Sequence, residues 1–301
     1  MDPIGQLARR IDDLAAVVRA APPSAALRDA FAALRIEEIA GSSRLAAAHL
    51  DLVEVRALLD RGRALGGHRL DEYLTVRGYA EASAWAVRRG ARPATVVAED
   101  LRTLHRLAVH GISDDAGAWR TSNLPALADG TVPPPHWMVP FETETTVGRL
   151  ALGETESAPL AIAHAIARLV WLRPFATANG RVARLTANVL AYRRGLPPLA
   201  LDARARRAYA AALRAADAGE LLPLARVVSR ALIRGLERLR DAAAAPEDLR
   251  PLAAFAPDGR PDRLYKAAQR GKLRVVRRDG RLYTTATWVA QAHSSDRTEI
   301  S

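Results

Sequence analysis

Apolar residues in this chain return every three or four positions rather than every second one. Ile4, Leu7, Ile11 and Leu14 set that rhythm, with Val17 or Val18 on the same face, and the APPS stretch Ala21–Ser24 ends it. The same spacing predicts helices within Leu27–Leu59 and over Leu70–Arg88, Pro93–Val109, Ser157–Trp171, Asn179–Arg194, Arg204–Ala218 and Leu222–Leu239. Gly195, Pro197 and Pro198 stop the helix that begins near Asn179. Ala and Leu dominate while Val and Ile rarely cluster, so the fold class expected is mainly α. At 301 residues and 49% hydrophobic, the chain suits one large domain, or one with a small appendage.

Two stretches break the pattern. Ser113–Thr146 includes DGTVPPPHWMVP, whose three successive prolines exclude helix and central strand, so an extended loop or short β-hairpin is expected there. After Ala245, PEDLRPLAAFAPDGRP reads as a linker. Beyond it come a short helix, a Gly turn and LRVVRRDGRLYTT, where β-formers flank Asp279-Gly280 as in a hairpin. The expected divisions are N-terminal helices over 1–110, a core over 111–240, a linker over 241–257 and a small winged-helix-like module over 258–301.

The chain has no cysteine, which removes disulfides and thiolate metal sites. Its first twenty residues are amphipathic and charged, unlike a signal peptide, and no apolar run reaches membrane-spanning length. A cytoplasmic location with no membrane partner is the expectation. The net charge is +11, unevenly placed. Between Ala163 and Arg207 nine arginines meet one acid, Asp202; between Arg260 and Arg281 nine Lys/Arg meet Asp262 and Asp279. Either these are solvated arginine-rich faces, or they mark two anion-binding regions.

The most telling stretch is LRPFATANGRVAR, Leu172–Arg184. Pro174 pushes Arg173 out of helical geometry, Ala176–Ala178 turn the chain, and Asn179-Gly180 open a helix. Backbone N–H groups at a helix start are unpaired and attract anions. Arg181 and Arg184 share a helix face, and Arg173 can approach from the other side, a set suited to phosphate. An ordinary loop whose arginines pair elsewhere remains the alternative.

These residues resemble the motif of the Fic proteins, HPFx[DE]GNGRxxR, with Pro174, Phe175, Asn179, Gly180, Arg181 and Arg184 matching. Leu104-His105 resembles the family's LH helix ahead of the motif, Gly117 and Arg120 its G…R pair, and Pro133–Pro135 its PP loop. Ala161 and His164 look like the A..H turn entering the motif. Tyr209–Leu213 with Pro223-Leu224 looks like the helix that follows it. The likeness runs from about Glu37 to Trp288. It implies a Fic/Fido helical core with a hairpin flap that lines up a target, ATP as ligand, and AMP transfer to a Ser, Thr or Tyr.

Three positions depart from the pattern. Arg173 stands where the family has its histidine base, and arginine stays protonated, so it cannot accept a proton. Thr177 replaces the acid that binds Mg²⁺, making Mg²⁺ binding weak or absent by expectation. Ala178 replaces a glycine of the phosphate cradle. The expected phosphate-binding set is therefore Thr177, Ala178, Asn179, Gly180, Arg181 and Arg184, with Arg173 at the base position. His136 in the Pro-rich segment is the spare candidate base, while His105 and His164 read as core or capping residues. Glu142 and Glu144 read as solvated loop acids rather than cleft acids. Ser42–Ala47 resembles the family's inhibitory SSxIEG stretch with Ala46 at the glutamate position, so nothing there is expected to block Arg184.

In the tail, Lys266, Arg270, Lys272, Arg277, Arg278 and Arg281 would contact DNA phosphates, and a homodimer would supply specificity. The alternative is a basic structural appendage. Three functions stay open: a diverged Fic-fold protein binding a nucleotide or phosphorylated small molecule in an arginine-rich pocket, a DNA-binding regulator with an inactive Fic domain, or an adenylyltransferase with a non-standard base.

Overall fold

The structure is a computed structural model that describes residues 3–126, 130–152, 156–201, 206–244, 248–256, 261–278 and 280–298. In chain order the helices of the first part are α1 (Pro3–Ala20), α2 (Ala25–Leu45), α3 (Leu52–Arg61), α4 (Leu70–Gly90), α5 (Ala98–Ala108), α6 (Val139–Leu152), α7 (Ala158–Leu172), α8 (Asn179–Arg193), α9 (Arg206–Asp217) and α10 (Leu222–Ala243). β1 (Arg250–Pro251), α11 (Asp262–Gln269), β2 (Val276–Arg278), β3 (Arg281–Thr284) and α12 (Ala286–Thr298) follow. The chain divides into two compact units, the first reaching Arg240 and the second beginning in the main at Asp241. Mainly α architecture is what the periodicity predicts.

In the first unit, α8 packs against α4, α5 and α7. Every residue from Arg181 to Ala191 is buried, so this stretch of α8 has no solvent face, while Tyr192 and Arg193 at its end are half-buried. Around it Ile162, Ile166 and Leu169 of α7, Leu101 and Leu104 of α5 and Val76 and Tyr79 of α4 join a single core. Gly78 lets α4 meet the end of α5, since a Cβ there would lie 2.8 Å from the Leu107 carbonyl oxygen. Arg89 ties α4 to the start of α5 with a buried ion pair to Asp100 at 2.7 Å and a bond to the Ala94 carbonyl at 2.9 Å.

Three expectations are refined or corrected. Of the extended loop and the short hairpin expected for the Pro-rich segment, the described residues within 113–138 fit the loop, since they hold no strand, and α6 begins at Val139. Pro140 falls in its first turn, where a missing N–H costs nothing, and Glu142 there favours the helix dipole. The run Leu27–Leu59 splits into α2 and α3 because Ala47 takes φ 66° and Asp51 caps α3, accepting the Glu54 N–H at 2.8 Å. Residues 250–255, expected as linker, form β1 and a 3-10 turn whose Leu252 is fully buried with Leu264 and Leu273. In that second unit the strand order is β1-β3-β2, all antiparallel, and Arg278 pairs with Arg281 across the predicted hairpin. The turn residue Asp279 lies outside the described residues, as do Asp202 and Arg204.

A buried carboxyl sits between α2 and α4. Glu38 is 1% exposed and takes bonds from the Tyr79 and Ser83 hydroxyls. Burial raises its pKa from 4.5 to about 7; the Tyr79 and Asn188 bonds, then Arg184 and Arg35, oppose the shift. An acid with a raised folded pKa binds its proton more tightly when folded. Its contribution therefore falls as pH rises from about 4.5 through 7. Thermal melts at pH 5 and pH 8 should show the wild type losing several degrees more over that interval than Glu38→Gln; equal losses would mean the carboxyl does not titrate there.

Candidate functional site

The loop Arg173–Ala178 joins the end of α7 to the start of α8. α7 stops because Arg173 turns left-handed, φ 45°, and its N–H returns to the Leu169 carbonyl at 3.1 Å, while Pro174 cannot continue a helix. α8 starts at the second left-handed residue, Ala178, φ 58°, whose carbonyl accepts the N–H groups of Arg181 at 2.9 Å and Val182 at 3.1 Å.

Between those turns the loop is pinned from inside. The Asn179 side chain spans Phe175, its Oδ1 accepting the Phe175 N–H at 2.9 Å and its Nδ2 donating to the Phe175 carbonyl at 2.8 Å. The Phe175 ring is fully buried, stacked on His105 at 3.9 Å and tilted against Trp119 at 5.0 Å. His105 Nδ1 accepts the Gly117 N–H at 2.9 Å, which leaves the ring proton on Nε2, facing the Thr177 backbone. Burial, with Arg181 adding to it, lowers the His105 pKa to about 4 against the weaker pull of Asp115. The ring is therefore neutral at physiological pH.

From outside, Arg120 closes the loop. Its backbone N–H donates to the Pro174 carbonyl at 3.0 Å and its Nε to the Arg173 carbonyl at 2.8 Å. Its other nitrogens reach the carbonyls of Ser122, at 3.1 Å, and Pro134. One guanidinium thus ties the loop to the Pro-rich segment. On that segment His136 takes the Asn123 Oδ1 with its N–H at 2.9 Å and with Nδ1 at 3.1 Å. An amide oxygen only accepts, so Nδ1 carries the proton and Nε2 of the neutral ring keeps its lone pair.

A buried stretch of helix cannot carry unpartnered cations, and both motif arginines of α8 are held. Arg181 Nη1 donates to the Ala108 carbonyl at 2.8 Å, and burial, then Arg184, lowers its pKa to about 10. Arg184 Nε donates to the Ser42 hydroxyl at 2.7 Å and Nη2 to the Ser42 carbonyl at 3.0 Å. The expectation that Ser42–Ala47 leaves Arg184 unengaged is corrected: Ser42 itself takes it, because α2 runs through Leu45 and passes alongside. Arg184 Nη1 lies beneath the start of α8, where a Cβ on Gly180 would approach it to 3.2 Å.

The predicted loop residues are therefore gathered at one place but face different ways. Ala176 and Thr177 form the exposed apex, and Arg173 is half-buried. The N–H groups of Thr177, Ala178, Asn179 and Gly180 take no backbone carbonyl among the described residues. The Asn179 amide faces inward to Phe175. His105 is a core residue, as expected, but His164 is half exposed and pairs with Glu156 at 3.1 Å. Glu142 lies on α6, not in a loop, and pairs with Arg168 at 3.2 Å. Sequence reasoning does not single out Trp119 or Asn123; their proximity to Arg120 is the signal that would have found them.

In the second unit Lys266, Arg270, Lys272, Arg277 and Arg281 are exposed, and Arg278 belongs to β2. Arg274, which the sequence reading passes over, lies on the Trp288 ring at 4.4 Å.

Comparison with known proteins places this geometry. Residues 95–191 match the family model of the Fic/DOC family. The protein adenylyltransferase fic-1 of Caenorhabditis elegans is 31% identical over 192 residues, covering 60% of this chain and 36% of the relative. The protein adenylyltransferase Fic of Drosophila persimilis is 26% identical over 213 residues, 68% of this chain and 41% of the relative. The chain thus spans well under half the length of these curated relatives. Among solved structures, C. elegans Fic-1 (aa134–508) superposes with a TM-score of 0.73 at 25% identity, over 79% of this chain and 72% of that one. A Fic family protein from Desulfovibrio desulfuricans G20 shares the fold with a TM-score of 0.59 at 20% identity, over 95% and 97%. The loop, the Arg120 clamp and most of α8 fall within residues 95–191, the part of the chain that matches the Fic/DOC family.

Proposed function

We propose that the loop binds the phosphates of a nucleotide or another phosphorylated ligand, and that histidine-dependent AMP transfer is not its reaction. The observation that carries this reading is one of residue type and direction together. Four consecutive N–H groups, Thr177–Gly180, take no backbone carbonyl among the described residues, and the ionisable side chains of the motif are three arginines. Such a set stabilises negative charge and moves no proton. The relatives' printed name, protein adenylyltransferase, supports a nucleotide as the ligand.

No group on the loop stands in for the missing base. Arg173 is permanently charged, and His105 is locked behind Phe175 with a pKa near 4. Thr177 offers a neutral hydroxyl where the family has an acid. This donor set does not fit a tightly held Mg²⁺. Arg173 can instead offset charge developing on a bound phosphate or carboxylate. A second reading, AMP transfer with His136 as base, is favoured by the lone pair left on its Nε2 and by the Arg120 bridge from Pro134 to the motif loop. A third, DNA binding by the second unit, is favoured by its β1-β3-β2 order beside α11 and by its exposed Lys266, Arg270, Arg277 and Arg281.

Calorimetric titration of ATP, AMP and pyrophosphate should give micromolar binding that is independent of Mg²⁺ and at least ~10-fold weaker in Arg184→Ala, about 1.4 kcal/mol; absence of binding in the folded wild type overturns the reading. With labelled ATP the wild type should transfer no AMP to protein. The variant Arg173→His/Thr177→Glu/Ala178→Gly should gain transfer by roughly 10²-fold or more. Transfer by the wild type that disappears in His136→Ala would establish the second reading instead. Duplex DNA should be retarded in a salt-sensitive manner, and Lys266→Glu with Arg277→Glu should abolish the shift if the third reading holds.

A further inference from the structure

Away from the motif loop, α6, α7 and the end of α8 enclose a cavity of about 340 Å³. Ala161, which lines it, lies about 16 Å along α7 from the loop end at Leu172. Its lining combines apolar residues, Leu150, Ala161 and Leu190, with cationic ones, Arg149, Arg168 and Arg194. One acid, Glu156, also lines it, and His164 holds that carboxylate at 3.1 Å.

Two polar side chains of the wall are fixed by packing. Arg168 is fixed: it donates to Glu142 at 3.2 Å and lies over the Trp171 ring at 4.4 Å. Its Nε is nonetheless buried with no hydrogen-bond partner among the described residues. Thr146 on α6, 1% exposed, presents a buried hydroxyl in the same condition. Both atoms lie behind the accessible surface, so they belong to the wall and not to the contact with what fills the cavity.

We propose that this cavity binds a small organic anion, one carboxylate or phosphate group on an apolar body. Arg149, with the guanidinium groups of Arg168 and Arg194 beside it, takes the charged group, and Leu150, Ala161 and Leu190 take the body. A bare inorganic ion leaves the apolar residues wet, and a neutral apolar molecule gains nothing from the cationic ones.

The test titrates 2-naphthoate and phenyl phosphate into the full chain, followed by saturation-transfer NMR, with 2-naphthamide and inorganic phosphate as comparators. At least one organic anion should bind, both comparators at least ~10-fold more weakly; the two organic arms distinguish carboxylate from phosphate. Arg149→Glu, at an exposed position, should weaken binding at least ~10-fold, about 1.4 kcal/mol. Ala161→Leu should remove binding by filling the cavity. Failure of both organic anions, or inorganic phosphate binding equally well, overturns the proposal. So does Ala161→Leu binding unchanged, because the arginines would then be acting as surface charge alone. If Ala161→Leu does not fold, undiminished binding by Arg149→Glu overturns the proposal by itself.

Discussion

One guanidinium sets the shape of the site. Arg120 is buried, and the carbonyls it collects belong to residues 122, 134 and 173, none of which has a helix or ladder partner for that oxygen in the described bonds. Buried carbonyls must be matched, and a charged donor matches them more strongly than a neutral one. The geometry of the motif loop is thus fixed less by its own sequence than by a residue more than fifty positions earlier. Burial and the neighbouring Arg173 lower the Arg120 pKa, yet it remains a cation, so the clamp does not titrate within the working pH range.

The second constraint is the burial of α8. The stretch Arg181–Ala191 has no solvent face and carries Arg181, Arg184, Thr186 and Asn188; the two arginines and the Asn188 Oδ1 are matched internally, while the Thr186 hydroxyl has no partner among the described residues. Asn188 caps the chain that follows by accepting the Leu199 N–H at 2.8 Å. Arg181 reads the end of α5 and Arg184 reads α2. The N-terminal half of α8 is consequently connected to two other helices, α5 and α2, by side chains that also belong to the motif.

Much of this was legible in advance. The long helices follow from apolar spacing, the loop from Pro174 and Asn179-Gly180, and the hairpin from Asp279-Gly280, because each depends on local residues. What sequence could not reveal depends on distance. Prolines at 133–135 correctly exclude helix for themselves, but they say nothing about Val139–Leu152, whose helix is decided by Pro140 and Glu142 in its first turn. Leu252 looks like a linker residue until Leu264 and Leu273 are seen to close over it. At the site, the motif residues could be named but not aimed. Nothing in the spacing says that Asn179 turns inward to Phe175, or that Arg184 is already engaged by a serine on α2.

The two left-handed turns of the loop have one further meaning. Glycine adopts φ near +58° freely, whereas alanine does so at a cost of roughly 1–2 kcal/mol, yet Ala178 sits there and Arg173 matches it at the other end. Such backbone persists only where the surroundings over-determine it. The loop is therefore a mould cast by its neighbours: its form can outlast changes in the residues that fill it, and a lineage can replace the chemistry on this turn while the turn itself stays put.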